Sequence, residues 1–140
     1  MKYPEVLDTH LVGTYPACVK AGGGYVWDEV LEYRVWCHPV DAVAGVEGGG
    51  DYYYAFACYE EALECSQQIA GAEPPLALVL QREYISEEEP GQYIHIQEER
   101  MTEWPVAFLN RPRRTATTIP EFLAPDAPAN RLDRLRGLVE

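Results

Sequence analysis

Positive charge is scarce in this sequence. Lysine and arginine together number 11 against 23 aspartates and glutamates, a net charge of −12, and such a surface repels phosphate backbones and anionic lipid headgroups alike. Nucleic acid and membrane are therefore not expected as partners. Long apolar runs are missing too: nothing approaches the roughly 20 residues that span a bilayer, and Met1-Lys2-Tyr3-Pro4-Glu5 lacks the apolar stretch of a secretion signal. The expected location is cytoplasmic.

Metal-ligand spacing is also absent. Cys18, Cys37, Cys58 and Cys65 form no C-x-x-C pair, and Cys37 and His38, adjacent on a strand, point to opposite faces. Reduced thiols without metal are the expectation, and no cofactor is predicted from composition or spacing. The three histidines, His10, His38 and His95, stand in no motif that supplies a positioned catalytic partner. Cys58 falls near a helix start, where a thiolate is favoured, but Glu60 and Glu61 oppose that charge. It is read as a buried thiol facing the core with Cys65.

What is present is one domain's worth of chain, 140 residues, with charge laid out unevenly. Residues 1–109 hold 5 basic and 19 acidic side chains, whereas residues 110–140 hold 6 and 4. The reading is an α+β body over 1–109 and a proline- and arginine-rich arm over 110–140. The arm carries Phe122, Leu123, Leu132, Leu135 and Leu138, which return stability only when buried. It is expected to dock on the body or, by exchange, on a second copy in a homodimer, with Arg111, Arg113 and Arg114 reaching the Glu87 to Glu89 turn.

Within the body, residues 30–37 alternate Leu31, Tyr33, Val35 and Cys37 against Glu32, Arg34 and Trp36, the period of a strand. Residues 51–57 form a second strand across a loose connection rich in glycine, from Gly45 to Gly50. Cys58, Ala62, Cys65 and Ile69 then step by four, three and four, which predicts an amphipathic helix ended by Gly71. Residues 76–80 read as the central strand and 93–99 as another with Ile94 and Ile96 inward and His95 outward. Thr102, with Glu103 and Pro105, reads as a helix start. An edge strand over 10–15 and a terminal helix over 129–139, striped by Leu132, Leu135 and Leu138, complete the reading. The fold expected is α+β: a mainly antiparallel sheet of two hairpins with an intervening helix and an extended C-terminal arm.

The polar face of the first hairpin is the candidate site. Arg34, Trp36 and His38 share that face, and Tyr52 and Tyr54 approach across the ladder, a setting for a planar or anionic small molecule. The alternative for this face is a packed surface covered by the C-terminal arm. Gly22-Gly23-Gly24 and Gly48-Gly49-Gly50 invite a phosphate reading, but neither leads into a helix N-terminus.

The stretches Gly22-Gly23-Gly24-Tyr25-Val26-Trp27, Glu32-Tyr33-Arg34-Val35-Trp36-Cys37-His38-Pro39, Asp51-Tyr52-Tyr53-Tyr54-Ala55-Phe56 and Thr102-Glu103-Trp104-Pro105-Val106 resemble a bacterial family whose members are often labelled GNAT-type N-acetyltransferases. The resemblance implies acetyl-CoA as cofactor and an acyl transfer. The residues themselves give the leading expectation, a small protein acting by self-association or by binding a partner or ligand, with no catalytic apparatus evident. The GNAT-like acetyltransferase is the alternative.

Overall fold

The computed structural model describes residues 3–38 and 50–139. Its fold is α+β. Strand β1 (Lys20–Ala21) is followed by β2 (Glu29–Cys37), β3 (Tyr52–Phe56), helix α1 (Tyr59–Gln68), β4 (Leu76–Gln81), β5 (Tyr84–Glu89), β6 (Gln92–Ile96), β7 (Arg100–Pro105), α2 (Thr118–Leu123) and α3 (Arg131–Leu135). Five strands form one sheet in the order β1-β7-β4-β2-β3, and β5 and β6 form a separate hairpin. Among the described residues the pairings between named strands are antiparallel except that of β1 with β7. Among the described residues, no helix is long and apolar enough to cross a membrane.

The apolar run of β4 is buried because it lies at the centre of the sheet, with Ala77, Leu78 and Val79 fully covered. One sheet face carries Val30, Tyr33, Val35, Cys37 and Trp104 and is covered by α1 through Ala62, Cys65 and Ile69. Ala62 is completely buried, as a small residue on the inward stripe of a short helix must be. The opposite face holds Leu31, Leu78 and Leu80 under Tyr15 and Val19. Leu31 therefore departs from the strict alternation expected of it. A β-bulge between Val30 and Glu32 inserts one extra residue and turns Leu31 to the other side.

Other expectations are corrected. Residues 10–15 form no strand: a 3-10 helix spans Thr9–Leu11, and the edge strand is Lys20–Ala21. Thr102 opens no helix but sits fully buried in β7, its hydroxyl donating to one of the carbonyls of Lys20 and Gly22 at 3.0 and 2.9 Å. Only a 3-10 helix, Val106–Asn110, follows. On β6 the inward face is the reverse of the one expected, because Tyr93 packs against Phe122 at 5.0 Å while Ile94 is exposed. His95 is turned inward enough to meet Glu83 at 3.0 Å. Cys58 caps α1 without a side-chain bond to its backbone and donates to Glu61 at 3.3 Å. Among the described residues the glycine-rich connection is represented by Gly50 alone; Gly45, Gly48 and Gly49 lie outside them.

Residues 111–135 run along the body. Arg114 binds Asp28 at 2.9 Å and Glu83 at 2.9 Å, and Arg113 reaches Glu29 at 3.4 Å. These carboxylates, not Glu87 to Glu89, receive Arg113 and Arg114, while Arg111 donates to the carbonyl of Tyr25 instead; Glu87 to Glu89 continue β5 rather than forming the turn. Ile119 and Phe122 are buried against Val26 and Ile85, with Leu132 and Leu135 packed around them. The leucine stripe is shorter than expected: α3 stops at Leu135, Gly137 adopts φ +73°, and Leu138 is 69% exposed.

Candidate functional site

The polar face of β2 is a closed network. Arg34 and Glu32 are both fully buried and pair at 2.7 Å, and Arg34 also reaches Glu103 at 3.1 Å. Its remaining N–H groups donate to the carbonyls of Pro16 at 2.6 Å and Ala17 at 3.2 Å. Glu32 accepts from the Gly13 amide at 2.8 Å, and the Trp36 indole donates to Glu103 at 2.7 Å. The ring over Arg34 is Tyr53, 4.6 Å from the guanidinium. Register explains this: Trp36 stands opposite Tyr53, whereas Tyr52 and Tyr54 pair with Cys37 and Val35 and so belong to the other face. There they touch each other edge to face at 5.8 Å and remain exposed.

Of the sequence candidates, Arg34 and Trp36 are thus brought together, Tyr52 and Tyr54 are placed across the sheet from them, and His38 lies at the strand end between Asp51 at 2.7 Å and Glu73 at 3.3 Å. What covers Arg34 is the segment at 13–17, not the C-terminal arm. Every side-chain nitrogen and carboxylate oxygen of the pair has a protein partner, which suits a fastening for that segment.

An open cleft of about 420 Å³ lies elsewhere, where the glycine run, the β5–β6 hairpin, β7 and the arm meet. Its volume falls within the usual range for small-ligand sites. Gly22, Gly23 and Gly24 form one wall, with φ of +75°, +84° and +85°, and Tyr25 continues the left-handed backbone at φ +68°. A tyrosine held there costs about 1–2 kcal/mol. Gly24 is sterically required, since a Cβ would overlap the side-chain amide of Gln81. Gln81, fully buried in β4, organises the wall: its amide donates to Gly23 O at 3.0 Å and Val26 O at 2.8 Å, and its oxygen accepts from Arg100 at 2.6 Å.

Three arginines from separate segments line this cleft: Arg100 from β7, Arg111 after the 3-10 helix, and Arg136 after α3. Each lies over aromatic rings. Arg100 is 4.1 Å from Tyr84, Arg111 is 4.9 Å from Trp104 and 4.4 Å from Phe108, and Arg136 is 5.8 Å from Tyr25. Arg111 also donates to Tyr25 O at 2.9 Å. Among the described residues, the carboxylate ion pairs are made by Arg34, Arg113 and Arg114 and by two histidines, and by none of these three.

Burial lowers the affinity of Arg100 and Arg111 for their protons, and at Arg111 the neighbouring charge of Arg136 adds to the effect. Guanidinium nonetheless stays charged in proteins. Among the described residues the one acidic member of the lining, Glu87, accepts from the Gly91 amide at 2.9 Å and from the Tyr25 hydroxyl at 2.7 Å, and these bonds hold its carboxyl below the ordinary range. Burial and the bond to Glu87 push the Tyr25 hydroxyl up to about 12. The cleft thus concentrates partly desolvated positive charge in an acidic chain.

Sequence reasoning passed over Arg100 and Arg136, and assigned Arg111 to a different contact. The signal within reach was Gly22-Gly23-Gly24 followed by an aromatic residue; the arginines stand 76 to 112 positions further on, and only the fold gathers them. Compared with protein-family models, with curated proteins and with solved structures, the chain has no match.

Proposed function

We propose that this protein is a binding protein for a small organic anion, held in the cleft between the glycine wall and Arg100, Arg111 and Arg136. The observation that carries the reading is the gathering of three arginines in one cleft with no carboxylate paired to them among the described residues. Taking guanidinium groups out of water is costly unless an anion compensates. Backing each one with an aromatic ring fixes its orientation and leaves N–H edges for a ligand. The hydroxyl of Tyr25 and the carboxylate of Glu87 are bonded to each other at 2.7 Å, and the arginines are the groups of the cleft that suit a bound anion.

Acetyl transfer is the second reading, supported by the order β3, α1, β4. Against it stands the start of α1, where Glu60 and Glu61 occupy the first turn and oppose a pyrophosphate. Thermal denaturation with a panel of aromatic and aliphatic acids, and separately with acetyl-CoA, tests the two together. A small acid that raises the melting temperature in the full chain, with acetyl-CoA silent, supports the cleft. Stabilisation by acetyl-CoA that is lost on mutating the β3–α1 junction at Ala57 and Cys58, with no response to the acids, overturns it.

A further inference from the structure

Building on the reading of the cleft as an anion site, we infer that its ligand is a phosphomonoester carried on a flat, ring-bearing organic group, with Arg136 as an anchor for the phosphate. Charge gives the first reason. Among the described residues three guanidiniums face one carboxylate, and Glu87 is already engaged by Gly91 and Tyr25. The excess of two positive charges is matched by a dianion, whereas a monocarboxylate leaves one charge without a counterpart. A phosphomonoester carries about −1.5 to −2 near neutral pH and concentrates three acceptor oxygens on one atom. Three donors from three segments suit that arrangement better than two separated carboxylates, each of which needs only one fork.

The second reason is a particular atom. Arg136 Nε is buried and has no hydrogen-bond partner among the described residues. A buried donor left unpaired is uncommon; Nε itself is shielded by protein, so an acceptor oxygen in the cleft meets the terminal nitrogens of Arg136, which lines it. Among the described residues the side chain of Arg136 makes no hydrogen bond, whereas Arg100 holds Gln81 and Arg111 holds Tyr25 O. Arg136 is thus the arginine freest to serve a ligand.

The third reason is the remainder of the lining. Tyr84, Ile85, Trp104 and Phe108 are apolar or aromatic, and the three glycines contribute no side chains. A cleft of about 420 Å³ is far larger than a phosphate group alone, and these walls suit a ring.

Titration calorimetry on the full chain near pH 7.5, with phenyl phosphate, benzoate, phthalate and inorganic phosphate as probes, tests the inference. Phenyl phosphate is expected to bind at least about tenfold more tightly than each of the other three. Its affinity falls as pH is lowered from about 7.5 to 5, through the second phosphate ionisation near 6. Of the other charged groups facing the cleft, Glu87 is held low by its hydrogen bonds, and the ordinary ranges of arginine and tyrosine side chains lie well above that window. Arg136→Gln is expected to weaken phenyl phosphate at least about tenfold with an unchanged circular dichroism spectrum, and Arg136→Lys to recover only part of the loss.

Equal binding of phthalate or benzoate, or affinity independent of pH, overturns the phosphomonoester while leaving an anion site in place. Inorganic phosphate binding as tightly as phenyl phosphate overturns the ring. An Arg136→Gln protein that folds and binds normally overturns the anchor. Silence from all four probes removes the inference and the anion-site reading together.

Discussion

Arg100 Nε donates to Gln81 Oε1 at 2.6 Å, and through that bond the cleft arginine is tied to the residue that holds the glycine wall. Gln81→Leu keeps the volume but leaves the Val26 carbonyl and Arg100 Nε without their partner, while the Gly23 carbonyl keeps the Trp104 indole at 3.0 Å. Each buried polar group so orphaned costs about 1–3 kcal/mol. Urea denaturation is expected to show a loss of about 2 kcal/mol or more, together with weaker anion binding.

Gly24 and Gly22 separate sterics from backbone strain. Both have left-handed φ, but a Cβ at Gly22 meets nothing within 4 Å, whereas at Gly24 it overlaps the Gln81 amide. Gly22→Ala should cost about 1–2 kcal/mol for the backbone alone. Gly24→Ala should cost a further 1–3 kcal/mol, roughly, for overpacking. Equal melting temperatures for the two variants would show that the wall is looser than described.

Arg34→Met leaves Glu32 as a buried charge without its partner and releases the carbonyls of Pro16 and Ala17. Breaking such a pair from one side costs about 3–5 kcal/mol. The double variant Glu32→Gln with Arg34→Met should recover part of that loss. Limited proteolysis should find residues 13–17 more accessible in both. An Arg34→Met protein with wild-type stability and protection would contradict the fastening role.

His38 gives a pH dependence of known sign. Its hydrogen bonds to Asp51 and then Glu73, with the charge of Asp51, raise its folded pKa above the ordinary histidine value. Unfolding then requires the pKa to fall back to about 6.5, so the contribution is fully present below that value and disappears as pH rises through the higher folded one. The ring is exposed, so the effect is small and screened by salt. Proton NMR should place the His38 titration above that of the unfolded chain, and His38→Gln should remove the corresponding change in melting temperature.

The elements legible in the sequence were those whose period and burial agree. The helix over Tyr59–Gln68 follows from Ala62, Cys65 and Ile69, and the central strand from Leu76 to Leu80, because burial on both sheet faces demands an unbroken apolar run. Thr102 misled because a capping residue type was read in isolation; its hydroxyl serves the carbonyls of Lys20 and Gly22, which are 80 to 82 residues away. Leu31 misled because a bulge shifts side-chain facing without altering composition. On β6, the ring of Tyr93 gains more from packing on Phe122 than Ile94 would. As for the site, Arg34 and Trp36 were recognisable as neighbours by strand period, but their enclosure by residues 13–17 was not. The cleft depends on Arg100, Arg111 and Arg136 meeting across the fold, which no local spacing records.

The most direct measurement is a set of nitrogen-15 NMR spectra of the full chain titrated with phenyl phosphate and with benzoate. The account predicts that at least one probe shifts the amides of residues 22–25 and 84–87 and the indole of Trp104, leaving those of Arg34 and Trp36 in place. Spectra unchanged by both probes, or shifts centred on Arg34 and Trp36, would contradict it.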